Sequence, residues 1–135
     1  MFKFIKEHWG VNLKGEYAFF ISEKNNVYAS SKDVGSIDLQ GLNINSIGFY
    51  MFEWKGNQVR PSIEGSQIIG PKATKNVIEL NKGLFTLWMA GHDLEYEHEP
   101  SYVIIKHNND FIGCGRAMGK KIINFVPKAR RLVLE

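Results

Sequence analysis

Six cations gather near the end of this 135-residue chain: Arg116, Lys120, Lys121, Lys128, Arg130 and Arg131. Between them runs the apolar segment Ile122-Ile123-Asn124-Phe125-Val126. The chemistry open to such an arrangement is anion binding. Arginines present planar donor forks to phosphate, and lysines act as point charges. Residues 1–105 carry ten Lys/Arg and twelve Asp/Glu, a net of −2, whereas residues 106–135 carry seven and two, a net of +5. A basic end on a nearly neutral body points to a polyanion partner. Solvation of the ends of an apolar strand explains the same charges about as well.

Other groupings carry less. The run Gly113-Cys114-Gly115-Arg116-Ala117-Met118-Gly119 comes near a dinucleotide fingerprint. Its last gap is one residue too long and a strand pattern follows it, so no helix N-terminus would meet a pyrophosphate. A bulge or a close backbone approach explains these glycines better. His92, Asp93, Glu95, Glu97, His98 and Glu99 could hold a metal, but no second ligand group has a recognisable spacing. A solvated acidic loop is the expectation there. Cys114 lies in the apolar run Phe-Ile-Gly-Cys-Gly, where a lone thiol is usually buried and inert. The sequence therefore assigns no catalytic residue, no metal and no cofactor.

The elements that position these residues can be read from period and punctuation. Residues 2–9 suit a short amphipathic helix stopped by Gly10. Residues 16–22 and 27–30 form one hairpin about Lys24-Asn25-Asn26. Residues 46–54 and 58–60 form a second about Lys55-Gly56-Asn57, the longer strand greasy on both faces and so central. Pro61 suits the first turn of a helix, and Ile63, Ile68, Ile69, Val77, Ile78 and Leu80 suit helical packing broken at Gly70-Pro71. Asn81 caps a helix from Leu84 to Ala90 that Gly91 stops. Strands follow at 102–105, 111–115, 122–126 and 132–134, with turns at Asn108-Asn109-Asp110 and Met118-Gly119-Lys120. Strands and helices come in blocks, which indicates an α+β fold, and the closing short strands suggest a small barrel.

Composition sets the outer bounds. A 44% hydrophobic and 23% charged chain is expected to fold as one globular domain with at most a small extra lobe. No apolar run nears the ~20 residues of a membrane span. The charge-broken start does not read as a signal peptide. With one cysteine no intrachain disulfide forms, and a cytoplasmic setting is expected.

Taken together, a helix ended by Gly91, the strand pattern Gly113-x-Gly115 and the closing "INFVPKARRL" resemble a PUA domain. The version they resemble most ends RNA cytosine-5 methyltransferases of the RsmF or Sun/Fmu type. The resemblance implies a PUA-like β pseudo-barrel over residues 80–135, preceded by a small mixed α/β lobe over residues 1–79. It implies RNA binding through Arg116, Lys120, Lys121, Lys128, Arg130 and Arg131, in rRNA or tRNA modification or ribosome biogenesis. It implies no enzyme, because the methyltransferase cofactor domain and its Pro-Cys motifs are absent from this sequence. The implied partners are rRNA or tRNA, with an RNA methyltransferase or a ribosomal protein beside them, and no membrane. Two rival readings stand: a small RNA-processing enzyme using His92, His98 and Cys114, and a module that docks on a separate protein through its front lobe.

Overall fold

Helix α1 (Phe2–Trp9) buries Ile5 and Trp9 and ends at Gly10, as the spacing of its apolar residues predicts. The structure, a computed structural model, describes residues 1–30 and 48–133. Two antiparallel hairpins follow α1: β1 (Ala18–Ile21) with β2 (Asn26–Ser30), then β3 (Phe49–Lys55) with β4 (Gln58–Pro61). They join into one sheet of order β1-β2-β3-β4, so β3 is interior, in keeping with its apolar faces. The expected start of that strand, Ser46-Ile47, lies outside the described residues.

Pro61 does not open a helix. It is the last residue of β4, paired with Phe52, where its missing N–H suits a strand end. Ser62 then caps α2 (Ile63–Ile69), its hydroxyl accepting from the Gly65 N–H at 2.9 Å. A 3-10 turn at Gly70–Lys72 ends α2. Helical packing was also expected of Val77 and Ile78. They lie instead in strand β5 (Val77–Glu79), parallel to β6 (Leu94–His107). A three-residue run carries no period, and tertiary pairing of its β-branched residues decides the outcome. Helix α3 (Lys82–Met89) is capped by Asn81, whose side chain accepts from the Leu84 N–H.

Strands β6 and β7 (Asp110–Asn124) form a long antiparallel ribbon, and the second sheet has the order β5-β6-β7. The fold is thus mixed α+β with two sheets. Two long strands stand where several short ones were expected. The expected acidic loop at residues 92–99 is mostly strand, since β6 begins at Leu94. The expected turn at Met118-Gly119-Lys120 is absent: β7 runs through it, and Gly119, opposite His98, marks a register irregularity that absorbs the glycine. Leu132 and Val133 form no strand, and Leu134 lies outside the described residues. No helix among the described residues is long and apolar enough to cross a membrane.

Alternation along β6 divides the interior. Tyr102 and Ile104 pack with α1, α2 and the first sheet in one core. Val103 and Ile105 pack with Trp88, Ala117, Ile122 and Val126 in another. Gly115 lets the ribbon approach α3, because a Cβ there would collide with Trp88 and Ile122.

Helix α1 is tied to this ribbon by polar contacts. The Asn76 carbonyl accepts from Trp9 Nε1 and from the Ile104 N–H, and Asn76 Nδ2 donates to the His8 carbonyl. His8 Nε2 lies 2.6 Å from the Tyr102 carbonyl and Nδ1 lies 3.4 Å from Asn76 Nδ2. These partners call for the neutral tautomer with the proton on Nε2. Burial holds His8 below its ordinary pKa, against the hydrogen bond to Tyr102, which favours the charged form. The unfolded chain binds the proton more readily, so this contribution is full above about pH 6.5 and is lost as pH falls. The urea midpoint should therefore drop between about pH 7.5 and pH 5.5, and drop less in His8→Gln. Equal drops in the two proteins would remove His8 as the cause.

Candidate nucleic-acid interface

The six cations of the basic end do not form one stripe. Lys120 and Lys121 lie exposed on β7, and Lys121 is the direct cross-strand partner of Glu95. Lys120, Lys121, Glu95 and Glu97 line one shallow surface with Tyr96 and Met118. The acidic segment and the first basic pair, 26 positions apart from Glu95 to Lys121 in sequence, thus face each other in the ribbon. The positive field expected there is offset by its neighbours.

The closing segment folds back on α3. Asn124 organises it: Nδ2 donates to the carbonyls of Trp88 (2.7 Å) and His92 (2.9 Å), and Oδ1 accepts from the Val126 N–H (2.7 Å). The carbonyl of Trp88 belongs to the last turn of α3 and also accepts from the Gly91 N–H at 3.0 Å, so Asn124 adds a second donor at this helix end. Val126 enters the core, Lys128–Arg130 make a 3-10 turn, and the Leu132 N–H donates to the Met89 carbonyl at 2.7 Å. Arg131 Nε donates to the Val126 carbonyl at 2.9 Å, and its side chain lies against Gly91. Gly91 is required twice: its φ is 95°, and a Cβ would strike the Arg131 side chain. Much of the motif "INFVPKARRL" with Gly91 is therefore a clasp that closes the fold.

Arg130 and Arg116 lie along the seam between the first sheet and the ribbon. Arg130 pairs with Glu64 at 2.8 Å. Partial burial raises the Glu64 carboxyl, but hydrogen bonding from Arg130 and the backbone outweighs it and holds the pKa low. Arg116 places its guanidinium over the Tyr102 ring at 5.0 Å. Tyr102 neighbours Phe125 at 6.3 Å, and Arg60 lies over Phe125 at 4.4 Å. The result is a ladder of guanidinium and aromatic planes, Arg116-Tyr102-Phe125-Arg60. Tyr102 is buried, so what this row can offer a nucleic acid is the two guanidinium planes and the partly buried Phe125. Arg60 has no place among the residues expected from sequence. It stands alone beside Pro61, and no linear signal relates it to Phe125 across 65 positions. Lys128 is exposed, with no ion-pair partner among the described residues.

The candidates for chemistry are placed otherwise. Cys114 is buried, its thiol pushed up to about 12 by burial, in spite of Arg60 nearby. It is a packed thiol in the first core. His98 Nδ1 lies 2.8 Å from the Glu99 carbonyl, and His107 stacks on Phe85 at 4.2 Å. No group of three His, Cys, Asp or Glu converges among the described residues.

Residues 75–132 match the family model described as the methyltransferase RsmF PUA domain. This stretch, rather less than half of the chain, holds a PUA-like domain resembling the C-terminal region of RsmF-type methyltransferases. The PUA domain is a non-catalytic RNA-binding module, and the match suggests RNA binding. No curated protein matches the chain.

Two outcomes test the clasp. Asn124→Ala should destabilise by about 1–3 kcal/mol, since it removes three hydrogen bonds, to the Trp88 and His92 carbonyls and from the Val126 N–H, and Arg131→Ala by about 1 kcal/mol. Lys128→Ala should leave the urea midpoint unchanged; equal effects from all three would disprove the assignment. In the folded protein Cys114 should resist a thiol reagent and react only on denaturation. Rapid reaction under native conditions would contradict its burial.

Proposed function

We propose that this protein is an RNA-holding module acting in rRNA or tRNA modification or ribosome biogenesis. The match of residues 75–132 to the RsmF PUA domain carries the reading. On this reading the chain divides near residues 75–80 into a front lobe and a PUA-like part, works in the cytoplasm, and performs no catalysis of its own. Its partner beside the RNA is an RNA methyltransferase or a ribosomal protein.

The arrangement of cations supports a division of labour. Arg116, Arg130 and Lys128 lie along the seam or beside it, where the guanidinium planes and the partly buried Phe125 give bases something to stack on. Lys120 and Lys121 face carboxylates and contribute less. Arg131 contributes to binding with whatever donors the clasp leaves over. Phosphate contacts of this kind fix the position of an RNA strand without reading its sequence.

Binding of total tRNA or rRNA fragments, followed by filter binding from low to high salt, tests this reading. With about three to five phosphates neutralised, log K should fall with log salt at a slope of roughly −2 to −5. Binding that ignores salt, or no binding at low salt, overturns it. Among double variants, Arg116→Gln with Lys128→Ala should weaken binding more than Lys120→Ala with Lys121→Ala. Each pair removes two positive charges, so equal losses in folded protein would mean that only net charge matters.

A further inference from the structure

The seam between the first sheet and the ribbon encloses a cleft of about 190 Å³. Its walls include Tyr50 of β3, Arg60 of β4, Glu64 of α2, Cys114 of β7, and Phe125 and Arg130 beyond β7. Its lining differs from ordinary interlobe packing. The Arg60 guanidinium lies over Phe125 at 4.4 Å, and no carboxylate pairs with it among the described residues. The Tyr50 hydroxyl makes no hydrogen bond among the described residues. Burial pushes the Tyr50 phenol up, against the pull of Arg60, so the hydroxyl keeps its proton and can donate. The Arg130–Glu64 pair supplies further donors and an acceptor in the lining.

We propose that this cleft takes one unstacked base of a bound RNA strand, stacked against the Arg60–Phe125 wall, with Tyr50 meeting its polar edge. The proposal rests on the RNA reading above and adds the front lobe to the recognition surface. A guanidinium laid on an aromatic ring is a flat, polarisable wall suited to a planar ring. Glu53 is the cross-strand neighbour of Arg60 but forms no salt bridge with it, so the guanidinium keeps its donors for an occupant, and a nucleotide brings its phosphate with its base. The cavity is smaller than the ~300–1,000 Å³ of sites for drug-sized ligands. It suits one base better than a dinucleotide or a larger cofactor. Its floor carries Cys114, which is neutral and small and so does not compete for the occupant.

The test uses the whole chain, labelled for amide NMR, titrated with the four nucleoside 5′-monophosphates and with ribose 5-phosphate. At least one nucleotide should shift the amides of Tyr50, Gly113 and Phe125, while ribose 5-phosphate should not. Arg60→Met should weaken that nucleotide roughly tenfold, and Arg60→Lys, which keeps the charge but loses the plane, by several-fold. Lys3→Ala with Lys6→Ala, on the exposed face of α1, should leave it unchanged. No shift at these amides with any nucleotide, an equal response to ribose 5-phosphate, or full affinity in a folded Arg60 variant overturns the proposal. Binding of tRNA by the same samples separates the two readings. Salt-dependent RNA binding without nucleotide shifts removes the cleft alone. Nucleotide shifts without RNA binding remove the RNA reading and, with it, the assignment of the base to a strand.

Discussion

The structure depends on a four-residue run that is buried on both sides. Tyr102, Val103, Ile104 and Ile105 of β6 are at most 2% exposed, and they alternate between two cores. A strand that feeds two cores cannot slip by one residue, because a slip exchanges every side chain between them. Its partners are therefore fixed as well. Strand β5 pairs with it at Ile104–Lys106, β7 pairs along its length, and α1 meets it through His8 and Asn76. The first sheet and the ribbon consequently share the first of these cores, and Cys114 is buried in it.

That shared interior explains why the seam can hold a site. Arg60 comes from the first sheet and Phe125 from the end of the ribbon. Their contact at 4.4 Å exists only because β6 and β7 are held against β3 and β4. Arg116 reaches the same ladder from the ribbon by way of Tyr102, itself a core residue. A flat guanidinium held by packing loses less freedom on binding than an exposed lysine does, which favours the seam over Lys120 and Lys121.

Several features were legible in the sequence because local rules decide them. Gly10, Asn81 and Gly91 mark helix ends through backbone geometry and capping, and the structure places all three as expected. Two hairpins and the interior position of β3 followed from turn residues and two-sided apolarity. What failed was whatever depends on a distant partner. Val77 and Ile78 form a strand only because Ile104 and Ile105 are there to pair with. Gly119 reads as a turn but is taken up as an irregularity within a long ribbon. Charge counted along the chain gave one positive block, whereas folding sets Lys121 opposite Glu95. Arg60 was invisible for the same reason, since its meaning comes from Phe125.

The closing motif also shows why a residue can serve the fold and a ligand at once. Arg131 uses Nε for the Val126 carbonyl, and Arg130 uses one terminal nitrogen for Glu64. A guanidinium has five N–H donors, so each of these contacts leaves part of the fork for another acceptor. A lysine ammonium has three donors on one nitrogen, so an internal partner and a phosphate would have to crowd the same atom. The arginines of "PKARR" can therefore hold their internal partners, Glu64 and the Val126 carbonyl, and keep donors over, whereas Lys128 has no ion pair among the described residues. The density of charge at the chain's end and the apolar strand beside it then have one cause. Val126 and Asn124 fix the backbone, and that backbone sets Arg130 at the seam and Arg131 against Gly91.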